Sequence, residues 1–366
     1  MRAALAQARR ASGRTFPNPA VGAVVLRGDR VLGRGFTRPP GGPHAEVVAL
    51  ESAARRHGRR ALRGATVAVT LEPCSHFGRT PPCTDALLAA GIARVWVGHR
   101  DPHPDAGGGV RALRRGGVAV EVGVLEDACR VQHRGFLSRV LRGRPFVTLK
   151  LAASLDGRIA TARGESRWIS GSGSRAHVHR LRAESDAVLV GSGTALADDP
   201  ALTARRGMRV VRRPARVLVD SRLRVSPRAK LFASDGAQRF VLCATDAPAA
   251  RQRAIAATGA QLLPIRPRRG KVPLRTALEA LAAAGLGTIL VEGGGGLAAA
   301  LLAEELVDEL LWFAAPKLLG ADARPAIGAL GLARVAAAPA FAIARVRRFG
   351  PDLLVEAHPD GGGTRS

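Results

Sequence analysis

Apolar residues along this chain recur with two alternating periods. Residues 1–13 have helical spacing and a stop at Gly13. Pro17-Asn18-Pro19 is a rigid loop, and residues 21–26 and 31–36 flank Gly28-Asp29, a hairpin signal. Residues 44–56 place Val47, Val48, Leu50 and Ala54 at helical spacings, whereas residues 65–71 alternate small and β-branched side chains and predict a buried strand. A short helix over 84–90 ends at Gly91, strands follow at 94–98 and 118–122, and a helix covers 126–140. This alternation predicts an α/β/α sandwich.

Arg142-Gly143-Arg144-Pro145 breaks the pattern, which then restarts. Strands are expected at 146–151, 187–190, 216–219, 240–243 and 288–291, and helices at 174–183, at 274–284 and from 297 onward; residues 304–357 supply late strands. The spacing predicts a second α/β domain with a mostly parallel sheet. The expected division is 1–143, 144–358 and a loose tail over 359–366 with Gly361-Gly362-Gly363. The first helix opens directly at Met1, so a residue or two is expected to precede it.

Composition adds limits. At 366 residues two domains are the default, and 46% hydrophobic content indicates a folded chain. Four cysteines at irregular positions make no disulfide framework and fit a reducing cytoplasm, with Cys129 and Cys243 as small core residues. A basic-then-apolar leader and an apolar run of 18 residues are both lacking, which disfavours a secreted or membrane-spanning protein. The formal charge of +27 would suit nucleic acid, but only Lys150, Lys230, Lys271 and Lys317 among the 56 basic residues are lysines. Scattered arginines, abundant Ala and Gly and no Tyr point to compositional drift; no nucleic-acid partner is expected, although single arginines can hold a substrate phosphate.

The chemistry is concentrated in His44-Ala45-Glu46, Pro73-Cys74 and Pro82-Cys83. One imidazole and two thiolates suit tetrahedral Zn²⁺ with a fourth position for water. Glu46 would be the free carboxylate that moves protons, as in zinc deaminases. The alternative is a chance tripeptide with two buried cysteines. Residues Ser75 to Pro82, with Ser75, His76, Arg79 and Thr80, form a polar loop between the sulfurs that reads as substrate recognition; His76 as a fourth ligand would instead close a structural site. In the second half, Val291-Glu-Gly-Gly-Gly-Gly296 runs from strand into helix, where backbone N–H groups can approach a pyrophosphate; a plain loop is the commoner meaning of such a run.

Longer motifs bring a resemblance. Leu71-Glu-Pro-Cys-Ser-His-Phe-Gly-Arg-Thr-Pro-Pro-Cys83, Pro17-Asn-Pro-Ala-Val-Gly22 and Pro43-His-Ala-Glu46 resemble the bifunctional deaminase-reductases of riboflavin biosynthesis. So do Lys150-Leu-Ala-Ala-Ser-Leu-Asp-Gly157, Gly164-Glu-Ser-Arg-Trp-Ile169, Leu196-Ala-Asp-Asp-Pro-Ala-Leu-Thr203, Val291-Glu-Gly-Gly294 and Ala315-Pro-Lys-Leu-Leu-Gly320. The resemblance spans essentially the whole chain. It implies a cytidine-deaminase-like domain followed by a dihydrofolate-reductase-like domain. The first would deaminate 2,5-diamino-6-(5-phosphoribosylamino)pyrimidin-4(3H)-one, and the second would use NADPH to give 5-amino-6-(5-phosphoribitylamino)uracil. It maps His44, Cys74 and Cys83 onto zinc ligands, Glu46 onto the proton carrier and Asn18 onto a pyrimidine contact. Ala152, Trp168, Thr194, Asp198, Ser221 and Gly294 match positions lining the dinucleotide; Ser166, Arg182, Leu202, Arg205 and Glu292 match positions at the substrate. Arg182 and Arg205 would serve as phosphate clamps. Lys150 and Asp156 map near the nicotinamide, and a strand-end salt bridge would explain them equally well. A homo-oligomer, dimer or tetramer, is the family expectation. Two departures, Thr37 where the family often has histidine and Gly42 where bulkier residues are common, bear on deaminase substrate contacts and not on the metal site. A nucleic-acid-editing deaminase and a non-catalytic zinc-stabilised binding protein are the competing readings.

Overall fold

The computed structural model describes residues 1–78, 81–103 and 107–361. The chain forms two compact units, Met1–Gly143 with Ala284–Gly287, and Arg144–Ala283 with Thr288–Ser366. The first runs α1 (Arg2–Ala11), β1 (Gly22–Arg27), β2 (Arg30–Phe36), α2 (Ala45–His57), β3 (Thr66–Leu71), α3 (Cys83–Ala89), β4 (Arg94–His99), α4 (Gly109–Arg115), β5 (Ala119–Val122) and α5 (Glu126–Arg142). Its sheet has the order β2-β1-β3-β4-β5, antiparallel through β2, β1 and β3 and parallel through β3, β4 and β5.

Successive residues of β1 and β3 face opposite layers. Val24 and Ala68 pack with Ala4 of α1, while Ala23, Val25, Val67 and Val69 pack with Ala45, Ala49 and Ala53 of α2. Strand β3 is therefore covered on both faces, which explains why Val67 to Leu71 are all buried; each fully buried Val or Leu is worth about 1.5–3 kcal/mol. Helix α2 lies unusually close to the sheet. Its facing residues are the Ala45/Ala49/Ala53 stripe, and the strand beneath offers Gly33 and Gly35. A Cβ at Gly35 would fall 2.2 Å from the Ala45 carbonyl oxygen, and one at Gly33 would fall 2.3 Å from that of Ala49. Gly22 does the same for α1, at 2.0 Å from the Ala4 oxygen.

The second unit runs β6 (Phe146–Ser154), β7 (Arg158–Ala160), α6 (Ser172–Glu184), β8 (Ala187–Gly191), α7 (Ser192–Asp198), β9 (Ala204–Arg206), β10 (Arg209–Arg212), β11 (Ala215–Val219), β12 (Arg239–Ala244), α8 (Ala249–Ala256), β13 (Gln261–Ile265), α9 (Leu274–Ala283), β14 (Thr288–Val291), α10 (Gly295–Ala303), β15 (Glu309–Ala315), β16 (Arg324–Pro325), β17 (Phe341–Phe349) and β18 (Asp352–Pro359). The main sheet has the order β13-β12-β11-β8-β14-β6-β15-β18-β17. Its first seven strands are parallel, and β18 and β17 add antiparallel.

Some elements lacked a sequence signal. Helix α4 has only Val110 and Leu113 as large apolar side chains among three arginines, and the β9–β10 hairpin is mostly exposed and basic. The loose tail expected over 359–366 begins on the last residue of β18, and positions 362–366 lie outside the described residues. Several arginines are spent inside the fold. Arg144 grips Asp308 through two 2.7 Å contacts, and fully buried Arg216 bonds Asp235 at 2.6 Å and two carbonyls. Among the described residues no helix is long and apolar enough to cross a membrane.

Candidate active sites

In the first unit, His44, Cys74 and Cys83 converge. Their ligand atoms all lie within 4.8 Å of one another, and Nδ1 of His44 stands 3.5 Å from Cys74 Sγ and 3.4 Å from Cys83 Sγ. A tetrahedral ion with Zn–S of about 2.3 Å and Zn–N of about 2.0–2.1 Å requires N···S edges of about 3.5 Å, so the donor set has the size and the chemistry that zinc needs. His44 is the N-cap residue of α2, Cys74 lies in the loop after β3, and Cys83 opens α3. His76 is outside the convergent set among the described residues, which leaves the three-ligand arrangement rather than a closed four-ligand one. Arg79 and Thr80, read from the sequence as part of substrate recognition, lie outside the described residues.

The electrostatics follow from burial and from the paired sulfurs. A hydrogen bond from Cys83 lowers the Cys74 thiol to about 4, and the backbone N–H of Cys83 points at the same sulfur at 3.4 Å. The contact pushes the Cys83 thiol upward, because a second anion beside the first is unfavourable without a cation. Glu46, in the first turn of α2, is 4% exposed; burial raises its carboxyl to about 7, and the Cys74 sulfur adds to the shift. Such a carboxyl can both take and give a proton near neutral pH.

Asn18 lies in the α1–β1 loop, its N–H on the Thr15 carbonyl at 2.8 Å; no hydrogen bond joins it to the ligand triad among the described residues. The two departures have local causes. Thr37 is buried and its hydroxyl accepts the N–H of Val21 at 3.1 Å, closing the edge of the β1–β2 pair. A Cβ at Gly42 would sit 2.7 Å from that of Arg38.

In the second unit the predicted residues gather at the carboxyl ends of neighbouring parallel strands. Ala152 is near the end of β6, Thr194 and Asp198 follow β8 on α7, Ser221 follows β11, and Glu292 and Gly294 follow β14. This is the edge where open α/β sheets bind ligands. Gly294 is the N-cap of α10, and a Cβ there would meet the Thr194 hydroxyl at 3.5 Å. The Ser221 hydroxyl accepts the Val272 N–H at 3.0 Å. A Cβ at Gly293 would strike Leu297 at 2.8 Å, so the run supplies bare backbone at a helix start, a surface that fits a pyrophosphate.

Arg182 and Glu292 form a half-buried bidentate pair, Nε–Oε1 at 2.6 Å and Nη2–Oε2 at 2.9 Å, and Nη1 of Arg182 also bonds the Thr203 carbonyl. All three nitrogens of the Arg182 guanidinium thus have protein partners, Glu292 and Thr203. Arg205 is exposed, with Nε on the Thr203 hydroxyl at 3.0 Å. Leu202 is buried with φ at +52°, at the bend before this strip. Ser166 and Trp168 share the loop after β7. Trp168 is 62% exposed under the Arg175 guanidinium, its carbonyl accepts from Lys317 Nζ at 2.7 Å, and Arg167 reaches the Asp198 carbonyl. Lys150 and Asp156 form no salt bridge with each other among the described residues. Asp156 accepts the N–H groups of Leu319 and Gly320, and the Lys150 ammonium is destabilised by burial and supported by Glu292. Thr203, the last residue of the Leu196–Thr203 motif, received no role from the sequence, yet its carbonyl and hydroxyl oxygens accept from Arg182 and Arg205.

A three-ligand zinc site with an unligated buried carboxylate, on one α/β sandwich, and a glycine-lined strand edge on another define a deaminase joined to a reductase. Residues 1–99 match the cytidine and deoxycytidylate deaminase zinc-binding region, and residues 145–355 match the RibD C-terminal domain. The chain is 42% identical over 367 residues to the riboflavin biosynthesis protein RibD of Escherichia coli K12, covering 97% of each, and 38% identical to that of Aquifex aeolicus, covering 97% and 96%. Among solved structures, Acinetobacter baumannii RibD superposes with a TM-score of 0.86 at 38% identity, covering 98% of this chain and 97% of that one. The diaminohydroxyphosphoribosylaminopyrimidine deaminase/5-amino-6-(5-phosphoribosylamino)uracil reductase of Thermotoga maritima gives 0.85 at 36%, with the same coverage. The chain belongs to the RibD family: a zinc-binding deaminase domain and an NADPH-using reductase domain of riboflavin biosynthesis.

Proposed function

We propose that the first unit deaminates 2,5-diamino-6-(5-phosphoribosylamino)pyrimidin-4(3H)-one and that the second reduces the ribosyl group of the product to give 5-amino-6-(5-phosphoribitylamino)uracil. The observation that carries the first assignment is the convergence of His44, Cys74 and Cys83 beside buried Glu46. His44, Cys74 and Cys83 hold zinc, which when bound lowers the pKa of water toward 7. Glu46 accepts the proton that the attacking water gives up and delivers it to the amine nitrogen that leaves as ammonia. Asn18 holds the pyrimidine.

In the second unit NADPH supplies the hydride. The α10 start at Gly294, with Thr194, Ser221 and Asp198, holds the dinucleotide, and Ala152 and Trp168 border its reactive end. Glu292, paired with Arg182, orients the sugar together with Ser166 and the backbone at Leu202, and Arg182 and exposed Arg205 face the phosphate. The domains divide at 143/144, the protein works in the cytoplasm, and it assembles as a homo-oligomer.

Glu46→Gln tests the catalytic assignment. Ammonia release should fall roughly 10²–10⁴-fold with zinc content unchanged. Unaltered turnover would exclude Glu46 as proton carrier, whereas lost activity with zinc retained supports catalysis over a zinc-stabilised binding protein.

A further inference from the structure

Among its described residues the loop that carries Cys74 has no strand or helix of its own, yet its thiolate must be placed to within a few tenths of an ångström. Pairing of β3 with β4 ends at Leu71 opposite His99, and one further bond, Glu72 N–H to the His99 carbonyl at 2.9 Å, completes it. Beyond that the loop is held from two sides. Glu72 is 6% exposed and pairs with the backbone instead of a cation: Oε1 accepts the N–H of Val110 at 2.8 Å and Oε2 accepts that of Asp101 at 3.2 Å. On the other side of Cys74, the Ser75 hydroxyl donates to the Gly107 carbonyl at 3.0 Å. Gly109 closes the contact, since a Cβ there would lie 1.8 Å from the Pro73 carbonyl oxygen.

We infer that Glu72 is a positioning residue for the metal centre: its carboxylate clamps the Cys74 loop onto the segment bearing Asp101 and Val110 and so fixes the sulfur. The inference rests on the zinc assignment above. The geometry has a reason. The Val110 N–H is one of the free N–H groups at the start of α4, and an anion is the favoured partner for such a group. Two charge-assisted bonds from one buried carboxylate are stronger and more directional than neutral ones. Glutamine keeps the shape but replaces one acceptor by a donor that faces a backbone N–H. Alanine removes both acceptors and leaves two buried donors.

The test measures zinc affinity of the full chain by chelator competition, together with the sulfur-to-cobalt charge-transfer bands of the Co²⁺-loaded protein. Groups that support metal ligands typically contribute 10–100-fold in affinity, so Glu72→Ala should weaken zinc binding by roughly that factor, Glu72→Gln by less, and the cobalt bands should shift. Ser75→Ala, which loosens the other side of the same loop, should reproduce the direction, and it keeps the test available if Glu72→Ala does not fold. Folded Glu72 variants with wild-type zinc affinity and an unchanged cobalt spectrum overturn the inference. So does a loss of zinc affinity that only parallels lowered thermal stability, with the spectrum unmoved. If the unmodified protein itself takes up no zinc, the zinc assignment fails instead.

Discussion

The contact between α2 and β2 makes a sharp prediction for Gly35→Ala. The new Cβ would stand 2.2 Å from the Ala45 oxygen and 2.4 Å from the Ala49 nitrogen. Favourable carbon contacts need about 3.5 Å, so the start of α2 must lift by roughly 1 Å. Both near atoms are backbone, so no rotamer change can relieve the overlap. Overpacking of this kind costs about 1–3 kcal/mol, or roughly 3–10 °C in Tm. The displaced turn begins immediately after His44 and contains Glu46. A misplacement of about 1 Å at a reacting centre costs on the order of 10²-fold in rate. Gly33→Ala presses on Ala49 and Ala53, further along the helix, and should cost similar stability with a smaller loss of zinc and activity. Gly28→Ala has nothing within 4 Å of its Cβ and tests only the left-handed turn at φ +56°. Calorimetry, chelator competition and ammonia release on the three variants decide the matter. A Gly35→Ala protein that retains the wild-type Tm, or that loses stability while zinc affinity and turnover stay unchanged, would rule out this coupling of helix seating to the site.

Removing zinc with a chelator should abolish ammonia release while leaving NADPH oxidation on the already deaminated intermediate intact; loss of both would contradict separate sites. Glu292→Ala strands the buried Arg182 cation and should destabilise the protein by about 3–5 kcal/mol, with a double-mutant cycle against Arg182→Ala returning a large coupling in denaturant titration; additive effects would contradict the pair. Acid should weaken the fold through two buried imidazoles. Burial lowers His133, bonded to the Thr70 hydroxyl, to about 3, and burial with Arg180 and Arg347 lowers His177, between Phe313 and Phe349, to about 4. Each folded-state value is below the ordinary 6.5, so the native state binds fewer protons than the unfolded chain, and stability present above pH 6.5 drains away as the pH falls toward 4 and 3. Denaturation midpoints at pH 7.5, 6 and 5 should fall in that order, less steeply for His177→Asn; a flat profile would count against it.

Local pattern was enough to predict most elements and to single out the three donor side chains that converge, because each signal was self-contained. Strand β3 has a short apolar run, α2 a helical period, and the ligand motif a donor set whose chemistry admits few ions. The Pro-Cys pairs and His44-Ala45-Glu46 needed only to meet, and convergence was the economical expectation. The three-dimensional fold decided what had no local signal. Arg182 reads as a phosphate clamp in sequence, and nothing local announces that Glu292, 110 positions later, engages two of its nitrogens. Asp156 reads as a neighbour of the nicotinamide or as half of a salt bridge, and only the fold shows that the N–H groups of Leu319 and Gly320 reach it. Glu72 is one carboxylate beside a proline until the loop folds back and offers it two N–H groups. Hydrophobic period and ligand type are properties of neighbouring residues and survive in one dimension. The partner of a charge depends on which distant backbone or side chain the fold carries to within about 3 Å, and only tertiary packing specifies that.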